Sequence, residues 1–197
     1  ILMKQLVTLI LLLSFSLAAL AQEKPEGLFL NSKAPDFKAT DQNGQAFNLK
    51  DLRKQKRVVL LFYQGNWSPF CNRELRRFQD SLQLISDRGA QLIAITPEAK
   101  EGIDSTIAKT GAIFPIFYDY NMQITTSYNG SYKLDERTIG RYKNAGIDIL
   151  KLNQQKQGSL PVPAVYIIDK EGTITYRYFE EDYKKRPFVK EILQNLK

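Results

Sequence analysis

Ser68, Pro69 and Cys71 stand at a spacing that can activate a thiol. A serine N-cap accepts a hydrogen bond from an early helix N–H. Proline suits the first helical position because its missing N–H would be unpaired there anyway. Cys71 then falls at about the third helical position, inside the first turn. Free N–H groups and the positive end of the helix dipole stabilise a thiolate at such a place. The chemistry on offer is nucleophilic or redox. A lone cysteine is otherwise most often a small buried hydrophobe; the N-cap and the polar loop around Gly65 and Asn66 set this one apart.

Composition narrows the options. The chain has 197 residues, no histidine and a single cysteine. Ser-His-Asp and Cys-His catalysis, zinc–histidine sites and histidine general bases are excluded. So are a Cys-x-x-Cys pair, a disulfide within the chain and a cysteine-rich metal site. No metal or organic cofactor is expected. Activation of Cys71 must come from the helix terminus, hydrogen bonds or an arginine. The formal net charge is +7. Its basic residues cluster at Lys50–Arg57 and Lys184–Arg186, with acidic residues spread between them, and we read both clusters as solvated turns and helix ends. No nucleic-acid role is expected.

The elements that must position Cys71 follow from patterning. Met3-Lys4, the apolar stretch Leu6–Leu20 and Ala19-Leu20-Ala21 have the form of a secretory signal peptide over residues 1–21. Export to a periplasmic or extracellular location, with no stable membrane anchor after cleavage, is the expectation. Residues 22–32 read as a flexible lead-in and 33–197 as one domain. Asp36–Thr40 and Ala46–Leu49 flank the turn Asp41-Gln42-Asn43-Gly44 and form a hairpin. Val58–Tyr63 is a strand buried on both faces. The helix after Ser68 carries Cys71, Leu75, Phe78, Leu82 and Ile85 at helical spacing and runs to Gly89. Further strands are expected at Gln91–Thr96, Phe114–Tyr118, Val162–Asp169 and Thr173–Phe179. Helices are expected over Lys100–Thr110 and Asn121–Tyr128. Asn129–Gly158 lacks periodicity and reads as a loop-rich insertion. Pro187–Leu196 is a closing helix with Phe188, Val189, Ile192 and Leu193 facing in. The sum is an α/β three-layer sandwich with a mixed central sheet.

With these residues placed, the sequence resembles the peroxiredoxin-like branch of the alkyl hydroperoxide reductase/thiol-specific antioxidant (AhpC/TSA) family, in the thioredoxin-like superfamily. Ala34-Pro35-Asp36-Phe37, the stretch Phe62–Leu75 with Trp67 beside Ser68, Leu160–Asp169 followed by Gly172, and Asp182-Tyr183 with Arg186 carry the likeness. The resemblance implies a thioredoxin-like fold and a peroxidatic role for Cys71, whose thiolate attacks a peroxide to give a sulfenic acid. It implies that the Ser68 hydroxyl orients the peroxide. It places Trp67 in the active-site loop and Pro163 where thioredoxin-like folds carry a cis-proline. Its partners would be a peroxide and an external thiol reductant, a thioredoxin-like protein or a small thiol, and it allows a homodimer.

The departures are as specific. Close relatives have Cys-x-x-Cys where this chain has Ser68-x-x-Cys71, so no local resolving thiol exists. Gln64 replaces the common proline, and Pro163 falls where most peroxiredoxins carry an arginine; Arg73 is the nearest candidate cation. The expected activity is a thiol-dependent peroxidase of one-cysteine type. Two alternatives stay open: an exported protein forming mixed disulfides with partners, and a non-catalytic thioredoxin-like binding module.

Overall fold

A computed structural model describes residues 24–196. The signal-peptide segment, residues 1–21, lies outside the described residues. The centre is a five-stranded sheet, built from β3 (Arg57–Phe62), β4 (Ala90–Thr96), β5 (Ile116–Tyr118), β8 (Ala164–Ile168) and β9 (Ile174–Phe179). Its spatial order is β5-β4-β3-β8-β9. β3, β4 and β5 run parallel, while β8 runs antiparallel to both β3 and β9. Two small antiparallel pairs flank it: β1 (Lys38–Thr40) with β2 (Ala46–Asn48), and β6 (Ser131–Lys133) with β7 (Ser159–Pro161).

The apolar run of β3 is unbroken because each face of the strand has its own core. Val59, Leu61 and Tyr63 join Leu75, Phe78, Ile85, Ile103 and Ile192 on one side of the sheet. Val58, Leu60 and Phe62 join Leu49, Ile95, Phe117, Tyr128 and Tyr166 on the other. Side chains alternate across a strand, so a strand covered twice reads as continuous hydrophobicity. Helices α2 (Pro69–Asp80), α3 (Leu82–Asp87), α4 (Lys100–Thr110) and α8 (Val189–Gln194) supply the first layer. α1 (Leu49–Gln55) and α5 (Gln123–Ser127) supply the other. The α/β three-layer, thioredoxin-like sandwich with a mixed sheet is the fold.

Several local expectations are corrected. Leu49 opens α1 instead of closing a strand: Asn48 Oδ1 accepts from Lys50 N–H at 3.0 Å, and Leu49 is buried. Asp51 in its first turn and Arg53 and Lys54 in its last suit the helix dipole, so part of the basic cluster is a helix end. The helix bearing Cys71 does not run to Gly89. It breaks at Ser81, whose φ/ψ of −104°/7° lie outside the helical range, and α3 follows. The lead-in is strapped down from Gly27 onward. Gly27 N–H donates to the Asn129 carbonyl at 3.0 Å, and Asn31 N–H to the Ile174 carbonyl at 2.9 Å. Leu28 N–H donates to Tyr166 Oη at 3.1 Å. Phe188 does not face in. It is 72% exposed at the N-cap of α8, while Ile192 takes the core position.

The insertion is structured too. Between β6 and β7 lie α6 (Glu136–Asn144) and α7 (Ile149–Leu152), capped by Asp135 and Asp148. No residue of α6 is buried, so it lacks the dense apolar stripe that reveals a helix in a sequence.

Leu75 lies fully buried in the core between α2 and β3. Leu75→Ala is expected to lower the unfolding free energy by about 2–5 kcal/mol, as deletion of a buried leucine does. Urea denaturation checks it.

Candidate active site

β3 ends at Phe62, and the chain turns through Gln64, Gly65, Asn66 and Trp67 into Ser68, the N-cap of α2. Ser68 Oγ accepts from Cys71 N–H at 3.4 Å, and Pro69 and Cys71 take the first and third helical positions. The cap uses the hydroxyl as an acceptor, so its own proton remains to be donated elsewhere.

Cys71 is fully buried. Its sulfur packs within the main core cluster, yet it has a charged partner. Arg186 Nη2 donates to Cys71 Sγ at 3.6 Å, across 115 residues of sequence. The same guanidinium forms an ion pair with Glu74, Nε to Oε2 at 2.7 Å, and the two side chains are only 4% and 3% exposed. Arg186 Nη1 donates to the carbonyls of Tyr183 and Lys185. Glu74 stands one helical turn after Cys71, so one face of α2 presents both the sulfur and the carboxylate to one arginine. Burial pushes the Glu74 carboxyl up to about 7, with Arg186 and Arg77 opposing the rise.

The expectation that Arg73 is the nearby cation is corrected. Arg73 is exposed on α2 and its guanidinium lies over the Phe70 ring, 4.9 Å from the centroid. The cation on the sulfur is Arg186, which the sequence marked as part of a basic cluster and, with Asp182-Tyr183, as a motif before the last helix, but not as a partner of the thiol. No local spacing links it to Cys71. The pairing exists because the segment after β9 returns across the mouth of α2, where Tyr183 packs edge-on against Phe70 at 5.7 Å between centroids.

Pro163 is buried at the start of β8. The register Phe62↔Ala164 sets it opposite Tyr63, at the site's edge of the sheet. The peptide bond before it is trans, as are all bonds among the described residues, and this corrects the cis expectation. Trans is the default for X-Pro bonds, and Pro163 accepts from Glu180 N–H at 3.3 Å in that form. Trp67 lies edge-on to Tyr142 of α6, 5.1 Å between centroids. Gln64 Nε2 donates to Tyr132 Oη at 3.0 Å and to the Pro161 carbonyl at 3.3 Å. The insertion therefore covers the loop that carries Ser68.

A second buried carboxylate, which the sequence reading missed, fixes that loop from beneath. Glu98 accepts from Asn66 N–H and Asn66 Nδ2, both at 2.7 Å. Lys109 Nζ donates to the Asn66 carbonyl at 3.0 Å and to its Oδ1 at 2.6 Å. Gly65 has φ +155°, and a Cβ there would come within 2.7 Å of Glu98 Oε1 and 2.4 Å of Trp67 Nε1. Only glycine fits. Burial raises the Glu98 carboxyl to about 7 against the opposing Asn66 bonds.

With this geometry in place, the comparisons with known proteins are specific. Residues 30–177 match the sequence profile of the AhpC/TSA family. Peroxiredoxin Bcp of Bacillus subtilis is 26% identical over 168 residues, covering 85% of this chain and 94% of that protein. The thiol-disulfide oxidoreductase ResA of Bacillus thuringiensis is 25% identical, covering 82% and 76%. The crystal structure of peroxidoxin BcpB from Mycobacterium tuberculosis shares the fold at a TM-score of 0.65 and 16% identity, covering 85% of this chain and 95% of that one. The chain belongs to the AhpC/TSA family. It is a member of the class of peroxiredoxin-like thiol peroxidases and oxidoreductases.

Two outcomes are expected. Arg186→Met removes the donor on the sulfur and is expected to slow iodoacetamide alkylation of Cys71 about 10–100-fold, the worth of one hydrogen bond to a charged group. Circular dichroism establishes that the variant is folded, and an unchanged rate would show Arg186 to be structural only. Glu98, which has no ion-pair partner among the described residues, holds a proton in the folded state up to about pH 7, whereas in the unfolded chain it loses it near the ordinary carboxylate value. The folded state then binds more protons between about pH 4.5 and 7, and stability falls as pH rises through that window. Glu98→Gln is expected to shrink this fall, measured as Tm against pH.

Proposed function

We propose that the protein is a one-cysteine thiol peroxidase in which Cys71 is the nucleophile, Arg186 its charge partner and Ser68 the donor to the bound peroxide. The observation that carries this is the Arg186 Nη2–Cys71 Sγ contact at the first turn of α2. A guanidinium N–H and the N-terminal amides of a helix both favour negative charge on sulfur.

The thiolate attacks the terminal oxygen of a hydroperoxide. The S–O bond forms as the O–O bond breaks, and the alkoxide or hydroxide that leaves takes up a proton. Cys71 is left as the sulfenic acid. The chain holds no second cysteine, so an external thiol condenses with the sulfenic acid, releasing water and forming a mixed disulfide. A second thiol then displaces Cys71. Arg186 contacts the buried sulfur, and Tyr183 of the same segment packs on Phe70, so a small peroxide needs less opening than a protein disulfide does. This favours peroxide over mixed-disulfide exchange as the first step. Resolution by a thiol requires the segment 182–188 to swing aside. Tyr183, Lys184, Lys185 and Phe188 on it are exposed, the profile of a segment that opens locally. The signal-like stretch at residues 3–21 supports an exported setting for this chemistry, which N-terminal sequencing of the secreted protein tests.

The purified protein is expected to consume hydrogen peroxide in the presence of a small thiol and to give a sulfenic-acid-selective adduct at Cys71. Cys71→Ser is expected to abolish both. Equal consumption by this variant would overturn the assignment.

A further inference from the structure

The insertion holds an amide-rich run, Asn153-Gln154-Gln155-Lys156-Gln157, that the thiol chemistry does not use. The last four of these residues line a cavity of about 710 Å³. Ser131 and Lys133 of β6 line it too, as do Tyr120 and Asn121 of the helical turn Tyr120–Met122 after β5. Tyr132, between Ser131 and Lys133, instead accepts from Gln64 of the active-site loop at 3.0 Å. Neighbouring strand residues face opposite ways, so the cavity and the thiol lie on opposite faces of β6.

Two features of the cavity wall cost the fold stability. Gln155 Oε1 accepts from Ser159 N–H at 2.9 Å, which fixes the orientation of the amide. Its Nε2 is then left buried with no hydrogen-bond partner, and such a donor keeps its desolvation penalty. Met122 and Gln154 are held at φ 58° and 49°, left-handed backbone that neither side chain favours. Strain of this kind gathers at binding sites. Lys133 and Lys156 are exposed, and neither has a carboxylate within ion-pair distance among the described residues. No carboxylate stands among the lining residues. The Tyr120 ring is 57% exposed and is braced edge-on by Tyr118, 6.0 Å between centroids.

These groups select a ligand. A side-chain amide both donates and accepts, as an alcohol does, so a row of amides matches a row of hydroxyls. An exposed tyrosine offers a flat apolar face and a polar tip, which fits a sugar ring with its C–H face and hydroxylated rim. Unpaired lysines favour negative charge. A simple anion would use the lysines and leave the amides idle.

We propose that this cavity binds an acidic saccharide, a sugar chain that carries carboxylates. Tyr120 stacks on a sugar ring, Gln154, Gln155 and Gln157 bond its hydroxyls, and Lys133 and Lys156 hold the carboxylates. Gln155 Nε2 gains the acceptor it lacks. The site is separate from Cys71, and its ligand is not a substrate of the thiol.

Calorimetric titration of the full-length protein with a short galacturonate oligomer tests this, beside a neutral galactose oligomer and a glutamate peptide of equal length. The uronate is expected to bind about tenfold more tightly than either at low salt, with added salt eroding its margin over the neutral sugar. Tyr120→Ala is expected to weaken uronate binding about three- to tenfold. Lys133→Glu/Lys156→Glu is expected to remove the preference for the uronate over the neutral sugar. Circular dichroism establishes that the variants are folded. Binding is read without turnover, so it stands or falls apart from the peroxidase assignment, and hydrogen peroxide consumption by both variants is expected to stay near that of the unaltered protein. A glutamate peptide bound as tightly as the uronate would reveal a plain anion patch and overturn the saccharide assignment. Equal binding of the two sugars, no saturable binding of the uronate, or uronate binding indifferent to Tyr120→Ala overturns it as well.

Discussion

The site depends on one guanidinium removed from water. Arg186 sits between the carboxylate of Glu74 and the sulfur of Cys71, with almost none of its side chain exposed. A buried ion pair seldom adds net stability, because desolvation of both charges consumes most of the attraction. Breaking one, however, strands the other partner, which costs about 3–5 kcal/mol. The pair therefore acts as a registration device. It holds the segment before α8 over the mouth of α2, and that placement puts a positive charge on the sulfur. The rest of the scaffold serves it: β3 delivers the loop, Ser68 starts the helix, and Ile192 anchors α8 in the core so that the returning segment has a fixed end.

A similar economy holds beneath the loop. Glu98 and Lys109 both hold Asn66, and the absence of a side chain at Gly65 leaves room for Glu98 and Trp67. Two buried carboxylates, Glu74 paired with Arg186 and Glu98 bound to Asn66, thus bracket the turn and the helix that hold the thiol. Neither touches the sulfur. Both fix the backbone from which Ser68 and Cys71 project, and precise placement of a reactive group comes from such supporting bonds.

Local signals in the sequence were sufficient for much of this. Ser68-Pro69 announced the helix start, the doubly buried run Val58–Tyr63 announced the central strand, and the single cysteine drew attention to itself. These are short-range properties: capping geometry, side-chain alternation, residue type. The features that escaped are of two kinds. The helix α6 buries none of its residues, and its few apolar positions stand among charged ones, so no core face announced it. Long-range pairings such as Arg186 with Cys71 leave no mark on either residue's neighbours. Arg73, two residues from the sulfur in sequence, looked the better candidate only because helical position shows nothing about which remote segment returns. Pro163 shows the reverse: its place at the head of β8 was legible, whereas the geometry of its peptide bond is decided by tertiary contacts.

The wide separation of the two partners has a consequence for biosynthesis. Chains emerge from the ribosome N-terminal end first, and the thiol is translated 115 residues ahead of its counter-ion. Until the segment bearing Arg186 has been made, the Cys71 sulfur lacks its guanidinium partner. That contact therefore follows the synthesis of β3, α2 and β4, which precede Arg186 in the chain and can already pack around the thiol.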